Sequence, residues 1–186
     1  MSLSLGIDVG TSGVRTAVLT AQGDVLPMAR TDHVAQKKDY IDADGWWRAV
    51  QTCILRQIEI LWAEGFSPLD ITGIAVDGTS GTMVLTDINL RPVTRALMYN
   101  SSGFDTEAAM IARFAPDLHI TRVSASALAR AMRLAAEDVG HAAWHLLHQA
   151  DFIAAKLMGQ GGLSDHNNAL KTGFDPETEM WPDWVE

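Results

Sequence analysis

The chain has 186 residues, 47% of them hydrophobic and 20% charged, which is ordinary globular material able to bury a sizeable core. Its formal net charge of −9 speaks against nucleic-acid binding, because phosphate contacts need clustered Lys and Arg; ATP needs only a local set of donors and Mg2+. The single cysteine, Cys53, excludes an intrachain disulfide, and with no membrane-length apolar run and no secretory signal the expected setting is the cytoplasm.

Leu3, Leu5, Ile7 and Val9 alternate as one face of a strand, and Val14, Thr16, Val18 and Leu19 begin a second run, so a hairpin is expected. Its corner, Asp8-Val9-Gly10-Thr11-Ser12-Gly13-Val14-Arg15, is nearly free of side chains. Gly10 and Gly13 would let backbone N–H groups approach an oxyanion, and Thr11 and Ser12 add hydroxyl donors. Asp8, at the strand's end, suits Mg2+ directly or through water, and Arg15 offers a charge for phosphate. A plain Gly-rich turn explains the same residues, and on local sequence the two readings stand about even.

After Gly23-Asp24 a third strand is expected over 25–33. Asp42-Ala43-Asp44 reads as a helix start, the helix runs over 45–64, and Gly65 ends it. Trp47, Val50, Ile54, Ile58 and Leu61 recur at helical spacing and should face the sheet; of Trp46 and Trp47 one packs and the other sits at an edge. Cys53 falls in the same pattern as a packed residue rather than a nucleophile.

Ile71 to Asp77 reads as a buried strand, Gly78-Thr79-Ser80-Gly81-Thr82 as a second small-residue corner, and Met83 to Asp87 as the return strand of a second hairpin. Two strands thus end in an acid followed by a Gly-Thr-Ser corner, and together they favour a ligand cleft at the strand ends. Tyr99-Asn100-Ser101-Ser102-Gly103 is a polar loop, and helices are expected over 106–114, 124–137 and 142–158, the last broken near Gln149. On a helix, His141, His145 and His148 would share a face, but no acid or cysteine in that window completes a zinc set, which leaves zinc at roughly one chance in ten. Gly159 to Gly162 lacks the preceding strand of a dinucleotide loop; the P-loop sequence and the protein-kinase signatures are absent; and one domain over 1–186 is the simplest organisation.

Several segments resemble, in order, the FGGY carbohydrate kinases, and within them the D-ribulokinase-like (pentulose kinase) group. They are Gly6-Ile7-Asp8-Val9-Gly10-Thr11-Ser12-Gly13, Ala75-Val76-Asp77-Gly78-Thr79-Ser80-Gly81-Thr82, Ala96-Leu97-Met98-Tyr99-Asn100, His148-Gln149-Ala150-Asp151 and the run Ser164 to Gly173. The first is shared with the wider sugar kinase, actin and Hsp70 superfamily; the second and last are narrower. The resemblance implies an α/β, ribonuclease H-like N-terminal domain, incomplete at its C-terminal end, with the nucleotide-binding domain absent. It also implies transfer of the ATP γ-phosphoryl group to a small sugar such as D-ribulose, with ATP and Mg2+ as cofactors. Asp8 would hold the metal; Gly10, Thr11, Ser12, Gly13 and Arg15 the phosphates; Asp77, Thr79, Ser80, Tyr99 and Asn100 the sugar. Relatives tend to carry an acid where Ser101 stands. The family's general base, an aspartate in a later Gly-x-x-Asp motif, has no counterpart here, so the isolated chain is expected to be inactive. The expected partners are the sugar and ATP, with neither nucleic acid nor membrane, and with a homodimer allowed for. A non-catalytic sugar- or phosphate-binding module and an actin-like ATPase piece are the alternatives, the last opposed by the two narrow segments.

Overall fold

The computed structural model describes residues 2–34 and 41–185. The chain packs as two compact units, Met1–Thr79 and Ser80–Glu186, each described by itself.

The first unit is a four-stranded sheet with one long helix. Strands β1 (Leu3–Val9) and β2 (Gly13–Thr20) form the expected antiparallel hairpin, with Asp8 opposite Arg15. β3 (Ala29–Asp32) pairs with β2, and β4 (Ile71–Gly78) lies parallel to β1, giving the order β3-β2-β1-β4. The third strand is shorter than expected; Val25 only bridges Leu19. Residues 35–40 lie outside the described residues.

Helix α1 (Ala43–Ala63) starts on the Asp42 carboxylate, which accepts the Asp44 N–H, and gives way to Gly65 at φ +80°. Its buried stripe is Trp46, Ala49, Val50, Cys53, Gln57 and Leu61, so Trp47, Ile54 and Ile58 sit at the margin rather than at the centre. The displacement has a polar cause. Gln57, 1% exposed, accepts from Thr16 Oγ1 and from the Ala29 N–H at 3.0 Å each and donates to the Pro27 carbonyl at 2.9 Å. It supplies the bonds that the start of β3 lacks, which a periodicity of apolar residues does not register. Trp46 packs and Trp47 is half-buried, and Cys53 is fully buried, both as expected.

β4 is not buried. α1 packs on β2 and β3, at the far side of the sheet order from β4, so Ile74 is 51% exposed despite the apolar run.

In the second unit β5 (Met83–Thr86), buried throughout, pairs antiparallel with β6 (His145–His148), Met83 opposite His148. The expected second hairpin is therefore absent: β5 does not return along β4. The expected helix over 142–158 divides into β6 and α4 (Gln149–Met158), because residues 145–148 are held in the ladder with β5; α4 ends at Gly159, φ +71°. Helices α2 (Asp105–Ile111) and α3 (Ala127–Glu137) sit close to expectation, and α5 (His166–Ala169) is a single turn. The core gathers Met83, Leu85, Leu97, Phe104, Ile111 and Leu134. Arg133 clamps Glu107 between α3 and α2 at 2.6 Å.

The histidine trio dissolves with the helix. His141 lies in a turn at φ +48°, while His145 and His148, three apart in a strand, point to opposite faces. Among the described residues no group of three His, Cys, Asp or Glu side chains gathers for a metal, and no helix is long and apolar enough to cross a membrane.

Candidate functional site

In the first unit, the parallel register of β1 and β4 sets Asp8 beside Asp77 at the ends of the two strands. Strand spacing is about 4.8 Å, and paired residues face the same way, so both carboxylates share one face. They line a shallow groove of about 440 Å3 together with Arg15, Gly6 and Thr16. Arg15 Nε meets Asp8 Oδ2 at 3.2 Å, with both side chains about half exposed (53% and 47%). Water screens such a pair, so it holds the two side chains only weakly. Asp77 Oδ1 accepts the Gly78 N–H at 2.9 Å, leaving its other oxygen outward. Two adjacent carboxylates without a third protein ligand suit Mg2+, which keeps waters and substrate phosphate oxygens in its shell.

The glycine corner is held by its own hydrogen bonds, and the Gly10 N–H expected to approach an oxyanion is committed within it. The Gly10 N–H is spent on the Gly13 carbonyl at 2.9 Å, and the Gly10 carbonyl accepts from His33 Nε2 at 3.0 Å. A Cβ on Gly13 would stand 2.5 Å from the Thr31 carbonyl oxygen, so that glycine is required by the passage of β3. Thr11 and Ser12 are exposed at the tip. Thr79 is half-buried at the end of this unit.

In the second unit, Ser80 and Tyr99 line one cavity of about 270 Å3, with Ser126, Arg130 and Lys171. Asn100 is exposed and does not line it. Ser80 Oγ donates to Asn168 Oδ1 at 2.8 Å; Asn168 Nδ2 donates to Asp151 Oδ1 at 3.2 Å and to Asp165 Oδ2 at 3.0 Å. Asp151 Oδ2 also takes the Ser164 hydroxyl at 2.8 Å and the His148 N–H at 3.3 Å. Asp151 thus orders its surroundings by hydrogen bonding, as its place in the sequence suggests. With its proton committed to Asn168, the Ser80 oxygen presents lone pairs to a ligand hydroxyl.

His148, 4% exposed, accepts the Gly81 N–H on Nδ1 at 3.0 Å, and burial lowers it to about 4. Burial pushes the Asp151 carboxyl up to about 6, against the hydrogen bonds that favour its charge. Lys171 falls within the narrow Ser164 to Gly173 segment without an expected role there, and Arg130 stands in no motif. Arg130 had one signal: it interrupts the apolar stripe Ala127, Ala131 and Leu134 of α3.

The profile of the FGGY family of carbohydrate kinases, N-terminal domain, matches residues 3–126. A xylulose kinase of Staphylococcus xylosus is 27% identical over 111 residues, 58% of this chain and 22% of that protein. The crystal structure of xylulose kinase from Rhodospirillum rubrum superposes with a TM-score of 0.81 at 18% identity, over 98% of this chain and 40% of its own. Plasmodium falciparum glycerol kinase with ADP superposes at 0.78, with 13% identity, over 100% and 40%. These likenesses support the ribonuclease H-like fold of the family, and they do not single out the ribulokinase-like group. The chain spans well under half the length of each of these proteins.

Proposed function

This chain belongs to the FGGY family of carbohydrate kinases, and from that premise we propose that it supplies the metal, phosphate and sugar contacts of an enzyme that phosphorylates a small sugar with ATP. A pentulose is the first choice of acceptor; D-ribulose and D-xylulose both qualify, and the xylulose kinase relatives support that class. The observation that carries the reading is the side-by-side placement of Asp8 and Asp77 at the ends of β1 and β4.

In this reading Asp8 and Asp77 hold Mg2+, whose charge offsets that of the phosphate oxygens. Thr11 and Ser12 donate hydroxyl hydrogen bonds to phosphate at the hairpin tip, and Arg15, released from Asp8, adds a guanidinium. Ser80 accepts from a sugar hydroxyl and Tyr99 covers the sugar's face. The acceptor hydroxyl's oxygen forms a bond to the γ-phosphorus as its proton passes to a base outside this chain or to water, the bond from that phosphorus to the β-bridging oxygen breaks, and ADP leaves. Such transfers are governed by positioning and charge stabilisation, which backbone corners and carboxylate-held Mg2+ provide. ATP as donor makes the cytoplasm the natural setting.

The test is sugar-dependent release of ADP from MgATP by the product of the complete coding sequence, with D-ribulose and D-xylulose as acceptors. Asp8→Asn is expected to abolish turnover while sugar binding stays measurable by calorimetry. Near-normal turnover in that variant removes Asp8 from the site, and sugar binding without turnover in the parent favours a binding module.

A further inference from the structure

The corner between β1 and β2 is held by a residue that lies outside it. In a tight hairpin with a two-residue loop, Gly10 and Gly13 would exchange two backbone bonds. Only one of them is made: the Gly10 N–H reaches the Gly13 carbonyl at 2.9 Å, and the return bond is missing. The Gly10 carbonyl goes instead to His33, just past the end of β3, whose Nε2 donates to it at 3.0 Å. The same residue gives its backbone N–H to the Ser12 carbonyl at 3.0 Å. The side chain and main chain of His33 thus fix two alternate peptides of the corner.

Those two contacts set the direction of the donors. The peptides are trans, so the carbonyl and the N–H of one peptide point opposite ways. With the Gly10 and Ser12 carbonyls turned to His33, the Thr11 and Gly13 N–H groups are turned away from it. The Thr11 N–H meets no acceptor among the described residues. Two outward N–H groups in a turn, with the exposed Thr11 and Ser12 between the glycines, form the kind of backbone nest that takes an anion. The imidazole has no other polar engagement. Its Nδ1 is buried and without a partner among the described residues. Because the Gly10 oxygen only accepts, the proton sits on Nε2 and Nδ1 keeps a bare lone pair. A leucine would fill the same space without burying that nitrogen; the Gly10 bond is what offsets it.

We propose that His33 is a positioning residue for the phosphate corner, holding the Gly10 carbonyl so that the Thr11 and Gly13 N–H groups stay aimed at a phosphate oxygen of ATP. Without the imidazole donor, the Gly10 carbonyl is free to take the Gly13 N–H. The tight hairpin then completes itself, and both donors are withdrawn. This rests on the reading of the hairpin as the phosphate contact of a sugar kinase, and it adds a residue that acts through the backbone of its neighbours.

The test uses the product of the complete coding sequence, with calorimetry on magnesium tripolyphosphate and on D-xylulose beside sugar-dependent ADP release. His33→Leu is expected to weaken tripolyphosphate about ten- to a hundredfold and to raise KM for MgATP by a similar factor. D-xylulose affinity should stay unchanged. His33→Gln, whose amide can place a donor where Nε2 stands, should regain most of the loss. His33→Asn, whose amide stops short of Gly10, should behave as the leucine does, and it decides the question if the leucine variant does not fold. Unchanged tripolyphosphate binding in His33→Leu and His33→Asn overturns the proposal. So does an equal loss in His33→Gln, or a matching loss of D-xylulose affinity, since either marks a packing role. Turnover in the parent without tripolyphosphate binding overturns the clamp while the kinase reading stands. Tripolyphosphate binding that follows the expected order of variants, without sugar-dependent ADP release, supports the clamp and removes the kinase reading.

Discussion

Acidification from pH 7 to pH 5 sets two buried groups of the second unit against each other. Burial holds the His148 imidazole at about 4 instead of its usual 6.5, with Asp165 opposing and Arg130 reinforcing the shift. Burial holds the Asp151 carboxyl at about 6 instead of 3.8. His148, depressed, contributes stability that is whole above 6.5 and drains as the pH falls toward 4, because the unfolded chain takes the proton first. Asp151, raised, contributes stability that is whole below 3.8 and lost as the pH rises through 6. Over the two pH units, proton linkage gives a loss of about 2 kcal/mol from His148 and a gain of about 1 kcal/mol from Asp151. The two largely offset each other, so the parent's melting temperature changes little over this interval. Asp151→Asn removes the gain, so its melting temperature should fall by about 4–7 °C over the same interval. Thermal melts followed by circular dichroism at pH 7, 6 and 5 compare the slopes, and every other titrating group cancels between variant and parent. Parallel slopes would refute a raised Asp151.

Two further expectations test the first unit. Gly13→Ala drives a Cβ to within 2.5 Å of the Thr31 carbonyl oxygen and 2.9 Å of Asp32 Cα, both backbone, so it should destabilise by about 1–3 kcal/mol in urea titrations; a neutral result means β3 yields freely. Gln57→Leu keeps the volume but strands the buried Ala29 N–H, and should cost about 1–3 kcal/mol by the same measurement; a change under about 0.5 kcal/mol means water replaces the lost oxygen.

The hairpin, α1 and its caps were legible because their signals are local: alternation over Leu3 to Val9, an aspartate cap, a glycine stop. What escaped depended on distant partners. β4 reads as buried because Ile71, Ile74, Ala75 and Val76 are apolar, yet exposure follows from which side of the sheet α1 covers. Residues 145–148 read as helix because Leu146 and Leu147 favour helix locally; the ladder with β5, some sixty residues earlier, overrides that preference. The pairing of the acids was half legible. Each ends its own strand in the sequence, while their adjacency depends on the parallel register of β1 and β4, which no local pattern states.

The narrow segments around His148 and Asn168 illustrate why a motif can be informative without touching a reacting atom. Asn168, 3% exposed, accepts from the Ser80 hydroxyl on Oδ1, donates from Nδ2 to Asp151 and Asp165, and gives its backbone N–H to Asp165 as well. Asp151 in turn needs the Ser164 hydroxyl and the start of α4, and His148 needs the Gly81 N–H. Asn168, Asp151 and His148 are buried and Ser80 is half-buried, so replacing one of these four strands a polar partner at a cost of about 1–3 kcal/mol. The set is therefore constrained as a unit. Its outermost member, Ser80, is the one that reaches the cavity, and its hydroxyl is oriented by the asparagine behind it. The Ser-Asp-His-Asn-Asn run thus fixes a side chain of the cavity wall that it does not itself supply. Arg130 follows the same logic from the opposite side: its carbonyl partners at Gly81, Ser101 and Ala125 hold it in place at the cavity wall without neutralising it.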